Sequence, residues 1–118
     1  MRTARISAGG APLALDLNVT TRMIDRLKGW MGRKSIAERD ALLIQPCNSV
    51  HTWFMHESID VVFLDRRRRV VGVRKNVGPR HFCAHLRAAS ALELQAGRSA
   101  ALGLVPGVQL DIDDGGAR

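Results

Sequence analysis

The sequence predicts a compact, mostly β single domain with one or two short helices. Three observations lead there. The chain has 118 residues, the length of one domain, long enough to bury about 65% of its unfolded surface. Beyond residue 41 its apolar residues recur with a period of two, the signature of half-buried strands. Only residues 20–32 carry a convincing helical spacing.

The elements follow in order. Residues 3–8 and 13–19 alternate loosely and read as strands around a Gly9-Gly10 turn. Thr20 or Thr21 can then cap a helix by accepting from a free backbone N–H. Met23, Leu27, Trp30 and Met31 form its apolar stripe, while Arg22, Asp25, Arg26 and Lys28 occupy the other faces. Gly32 supplies a left-handed stop, followed by Arg33 and Lys34 at the negative helix end. Leu42, Leu43 and Ile44 form a short apolar run stopped by Pro46. Residues 49–55 read as a strand with His51, Trp53 and Met55 on one face and Val50, Thr52 and Phe54 on the other.

Residues 59–65 and 70–77 read as a hairpin. With Arg67-Arg68 as a two-residue loop, Leu64 faces Val71, Val62 faces Val73 and Asp60 faces Lys75 on one side, and Phe63 faces Gly72 on the other. A tight turn wants Gly or Asn at positive φ, so arginine at both loop positions is costly; a longer loop shifts the register by one and reverses every side chain. Gly78-Pro79 ends the second strand, and residues 80–87 look irregular. Residues 88–94 fit helix or strand; Gly97 cuts the run short and favours strand. A helical turn is expected at 98–102 and a last strand around Val108, Leu110 and Ile112. Residues 114–118 are expected to fray.

Composition excludes several classes. Hydrophobic residues make 46% and charged residues 25%, a globular rather than disordered balance. No apolar run approaches the roughly 20 residues of a membrane span. The stretch after Arg2 and Arg5 is broken by Asp16 and is no secretory segment, so a cytoplasmic location with Cys47 and Cys83 reduced is expected. Eighteen Lys and Arg against 11 Asp and Glu give a net charge of +7, which attracts polyanions.

Larger motifs carry a resemblance. These are Arg26-Leu-Lys-Gly29-Trp-Met31-Gly-Arg33, Leu42-Leu-Ile-Gln-Pro46-Cys47-Asn-Ser-Val50-His51-Thr52, Met55, Ile59-Asp60-Val-Val-Phe-Leu-Asp65, Val70-Val71, Val77-Gly-Pro79, and Ala91-Leu-Glu93-Leu-Gln-Ala96-Gly97. In this order and spacing the chain resembles the bacterial and archaeal family catalogued as domain of unknown function 192, in its short Pro-Cys/His-Thr branch. The family-like region spans about 20–113 within a single domain of 1–118. The resemblance implies a β-sandwich or barrel-like fold with a small helical part, and no established activity. The chain departs from the family pattern in the short stretch from Met55 to Asp60, in Arg66–Arg69 where a hairpin Gly is usual, and in Pro106-Gly107-Val108.

The chemistry-bearing residues admit several readings. Cys47, His51, Cys83 and His85 are zinc-type ligands, but neither Cys is in a Cys-x-x-Cys spacing, and a buried Cys is often simply apolar. His51 with Asp60 suggests a general base, and Cys47 could join them in a hydrolase or metal-dependent enzyme. No nucleophile elbow and no phosphate loop accompany them. The alternative has His51 and Thr52 tying down the loop after Pro46, and Met55 filling the core. Arg66, Arg67, Arg68 and Arg69 form a basic hairpin tip that could touch nucleic acid or an anionic membrane, or simply be solvated. Trp53 and Phe54 read as strand residues that could be buried, so the tip has no evident aromatic platform for base stacking.

The function expected is a small non-catalytic β domain. It would bind a protein partner or small ligand in a groove between helix 20–32 and the sheet, through Arg26, Arg33, His51, Thr52, Met55 and Asp60. No cofactor is expected. The hydrolase and polyanion-binding readings are the alternatives.

Overall fold

Two central strands are buried on both faces, and most of the architecture serves to cover them. The computed structural model describes residues 2–21, 35–53 and 55–113. In chain order the elements are β1 (Arg2–Ala8), β2 (Ala11–Pro12), β3 (Asp16–Thr20), β4 (Asp40–Ile44), β5 (Ser49–His51), β6 (Ile59–Leu64), β7 (Val70–Val77), β8 (Phe82–Ala84), β9 (Ser90–Gln95), α1 (Arg98–Ala101) and β10 (Leu110–Asp113). Thr20 closes β3; the expected helix beyond Thr21 and the expected frayed tail lie outside the described residues.

The main sheet has the order β10-β1-β3-β4-β9-β6-β7, with β2 attached to β1. Neighbours are antiparallel except β3 and β4, which run parallel from Asp16↔Asp40 to Thr20↔Ile44. A parallel pair needs a crossover of a dozen residues or more; residues 21–39 provide it. The sheet curls into a half-barrel. The hairpin joining β6 and β7 bonds back to the approach to β10: Val70 N–H donates to Val108 O, Gly107 N–H to Val70 O, and Leu110 N–H to Arg68 O. This seam joins the two ends of the strand order, which leaves less unpaired edge than an open sheet.

All six residues of β6 are buried, and so are the first five of β9. One face contributes Leu17, Val19, Leu43, Val62, Leu64, Leu92 and Leu94 to a core closed by Ile6, Leu104 and Leu110. The opposite face presents Leu42, Ile44, Ile59, Val61, Phe63 and Ala91, with Ile36, Val50, Met55 and Cys83 packed against it. Near-continuous apolar runs such as Val61 to Leu64 are the sequence form of a strand buried on both sides. The single core face expected from the hairpin alone is therefore half of the arrangement.

The hairpin register is observed in its centre, with Val62 opposite Val73 and Phe63 opposite Gly72. It shifts at both ends, so Leu64 meets Val70 and Ile59 meets Val77. The tip is a turn from Asp65 to Arg68, closed by Arg68 N–H to Asp65 O at 2.9 Å, with only Arg68 at positive φ, 63°. The loop has one more residue than the two-residue turn. A bulge between Phe63 and Leu64 absorbs it, so the centre keeps its facing.

Residues 80–87, expected to be irregular, contain β8. It pairs with β5 through Ser49↔Ala84, Val50↔Cys83 and His51↔Phe82. The strand expected over 49–55 stops at His51, because Met55 N–H turns back to Thr52 O. This two-stranded ribbon lies over the second core face through Val50 and Cys83. Gly72 allows the approach: a Cβ there would come 2.7 Å from His85 Cδ2 and 3.1 Å from Nε2. The His85 ring also packs on Phe63, centroids 5.9 Å apart.

Gly72→Ala is expected to lower stability by about 1–3 kcal/mol, the usual cost of overpacking. Adding His85→Ala should recover part of it. Urea unfolding of both variants checks this; an unchanged Gly72→Ala midpoint would show that the ribbon does not rest on β7.

Candidate functional site

Asp60 is fully buried yet sits in the middle of an apolar run. Its carboxylate is saturated by donors from three residues in two segments of the chain. Oδ1 accepts from Asn76 N–H at 2.9 Å. Oδ2 accepts from Gly97 N–H at 3.1 Å, Ser99 N–H at 3.0 Å and the Ser99 hydroxyl at 2.6 Å. The expected partner Lys75 is displaced, because the bulge below Val61 sets Asn76 at φ 53° with its N–H on the carboxylate. Asp60 thus joins β6 to the end of β7 and to the start of α1. A buried carboxylate with this many charge-assisted bonds fixes geometry.

Thr52 is equally committed. Its hydroxyl donates to Gly78 O at 2.6 Å and accepts from His81 N–H at 2.9 Å. Its backbone N–H donates to His81 O, and its carbonyl accepts from Arg80 N–H. It therefore clamps the 78–81 turn rather than the loop after Pro46. Met55 is buried in the second core. His51 lies on β5, half-buried, and its Nδ1 is buried with no hydrogen-bond partner among the described residues. Arg26 and Arg33 lie outside the described residues.

The metal-type residues are divided by the ribbon. Val50 and Cys83 face the core, so His51 and Phe82 occupy the opposite face. Cys47 is half-buried and its thiol lies 2.9 Å from Ser49 O. His81 turns its Nδ1 towards the carbonyls of Gly78 and Pro79. Among the described residues no three His, Cys, Asp or Glu side chains assemble to hold a metal ion.

The arginine tip is not uniformly free. Arg68 is half-buried, donating to Ile112 O at 3.1 Å and to Gln45 Oε1 at 2.8 Å. Arg66, Arg67 and Arg69 are exposed. The Asp65 carboxylate accepts from the backbone N–H groups of Arg69 and Arg67, which hold its carboxyl below the usual range, the Arg69 bond most strongly. Arg68 also borders a cavity of about 640 Å³ lined with Arg5, Ser7, Leu13, Asp111 and Asp113. A hollow of about 300 Å³ lies beside Cys47, between Pro46 and Ala89.

The feature that sequence reasoning missed is the ribbon's outer face. Trp53 is 55% exposed and Phe82 64% exposed. Thr52 bonds to His81 and Arg80 just beyond the paired strands, and Trp53 follows it in the turn that leaves β5. The signal available was the alternation in His81-Phe82-Cys83-Ala84, which marks a short strand with Cys83 inward. Among the described residues no helix is long and apolar enough to cross a membrane.

Comparison with known proteins places these observations. Residues 4–112 match the DUF192 family, described as an uncharacterised ACR. No curated protein matches the chain. A protein of unknown function from Novosphingobium aromaticivorans shares 17% identity at a TM-score of 0.77, covering 92% of this chain and 83% of its own. A putative transcription regulator from Sinorhizobium meliloti shares 19% identity at a TM-score of 0.77, covering 93% and 92%. At these identities the likeness is one of fold.

Asp60→Asn is expected to lower stability by about 3–5 kcal/mol, since an amide places a donor against donors in a buried site. Ser99→Ala removes only the hydroxyl and should cost about 1–3 kcal/mol. Denaturant titration measures both. Two variants with wild-type midpoints would show that the carboxylate does not hold these elements together.

Proposed function

The chain belongs to the DUF192 family, and on that premise we propose that it is a small non-catalytic β domain acting by binding, with the outer face of the β5–β8 ribbon as its contact surface. One observation carries the reading. The ribbon turns Val50, Thr52 and Cys83 inward and leaves Trp53 and Phe82 facing solvent. Leu86, just past β8, is 99% exposed. Three of the four large exposed hydrophobics among the described residues thus lie on the ribbon or within two residues of its strands. Clustered exposed apolar groups mark interaction sites, whereas scattered ones do not.

The other readings fare less well on the same observations. A hydrolase using His51, Asp60 and Cys47 needs a carboxylate with a free lone pair near solvent. Asp60 is buried and already accepts four hydrogen bonds. Polyanion contact through the tip retains Arg66, Arg67 and Arg69, with Arg68 engaged elsewhere. The groove expected beside helix 20–32 falls on residues outside those described. The Sinorhizobium neighbour's description as a putative transcription regulator is consistent with a binding role.

The test is a titration of ¹⁵N-labelled protein with a library of small aromatic fragments. Amide shifts are expected to cluster at residues 49–53 and 80–86. Shifts confined to the cavity beside Arg5 and Asp111, or none anywhere, would overturn the proposal. Trp53→Ser with Phe82→Ser should abolish the clustered shifts while leaving the melting temperature within about 2 °C, since exposed positions contribute little to stability.

A further inference from the structure

We propose that the outer face of the β5–β8 ribbon docks on an anionic lipid bilayer; this rests on the reading of that face as the contact surface. On β8, Phe82 and Ala84 alternate outward around the buried Cys83; the His85 ring turns onto Gly72, and Leu86 is exposed in the turn that follows. Trp53, two residues past the end of β5, is exposed as well. An indole, a phenyl ring and an aliphatic tip suit the boundary between headgroups and acyl chains.

Charge complements the stripe. Arg80 lies at its Trp53 end and Arg87 follows Leu86 at the other, both exposed. Arg74 is exposed on β7 opposite Val61, on the face the ribbon covers, between Gly72, which His85 overlies, and Gly78, beside the His81 ring. In residues 47–58 and 72–89 the only acid is Glu57, and its carboxylate accepts the Ile36 N–H. Cations thus flank an apolar centre, so they can meet lipid phosphates while the centre enters the interface.

Size and composition favour a bilayer over the other occupants. The three-residue strands span about 10 Å, and a two-stranded ribbon is about 10 Å wide. That area is a fraction of the about 800 Å² that each partner gives a stable protein interface. Base stacking uses aromatic planes with cations tracking the strand. Here the most exposed large hydrophobic among the described residues is Leu86, an aliphatic one.

The test is co-sedimentation of the full chain with vesicles of phosphatidylcholine alone or with 30 mol% phosphatidylglycerol. Partitioning onto the anionic vesicles is expected to be at least about tenfold stronger and to weaken in 0.5 M salt. Trp53→Ser/Phe82→Ser/Leu86→Ser should lose at least about tenfold. Arg80→Asn/Arg87→Ser should lose about 25-fold, at roughly fivefold per cation; asparagine tolerates the φ of 62° at position 80. Leu86→Ser alone changes a fully solvated side chain, so it keeps the fold and should lose about threefold or more. No binding to either vesicle, undiminished binding of these variants, or tighter binding to oligouridine than to the anionic vesicles would overturn the lipid assignment. If aromatic fragments still perturb the ribbon, the contact surface stands with another occupant; if they do not, both proposals fall.

Discussion

The structure depends on a sheet whose middle must be dry on both faces. Every side chain of β6 is buried, including one carboxylate. Burying such a strand requires two separate covers. One comes from the curl of the sheet itself, which brings Leu110 and Val70 towards Leu17 and Leu92. The other comes from segments outside the main sheet, namely the ribbon and Ile36. Apolar burial contributes about 25 cal/mol per Å², so an uncovered face would forfeit a large share of a small domain's stability. Asp60 supplies the polar counterpart. Its four acceptor bonds set where β7 ends and where α1 begins.

That constraint explains why the ribbon exists and why it has a dry and a wet side. Two strands of three residues are too short to be stable alone. They persist because Val50 and Cys83 pack on the core, Thr52 clamps the 78–81 turn, and Gly72 lets His85 sit against the sheet. Strand alternation then turns the intervening side chains outward. The placement of Phe82 and Trp53 is thus a consequence of the fold, while their apolar character is not required by it. A polar residue at either position would leave the packing intact.

Much of this was legible in the sequence. The period-two pattern located β6, β7 and β9, and the Val62–Val73 and Phe63–Gly72 pairs emerge from side-chain matching alone. The hairpin ends were not legible, since bulges are set by the Arg68 turn and by the bonds of Asp60, both tertiary matters. β8 was missed because three residues with one inward Cys give too short a pattern. Asp60 looked like a chemical group because sequence shows a carboxylate without showing the N–H groups of Gly97 and Ser99, more than 35 residues away, that consume it. Trp53 was obscured in the same way, since an aromatic residue in a strand pattern is buried or exposed according to which face has a neighbour, and Phe82 was hidden with β8 itself.

Native-state hydrogen exchange tests the two-faced burial of the central strands most directly. The amides of Val61–Phe63 and Leu92–Leu94 should exchange slowest, through opening of the whole domain. The Thr52 and His85 amides, whose bonds hold the ribbon, should exchange sooner through local opening. Central-strand amides exchanging as fast as those of the ribbon would contradict the account.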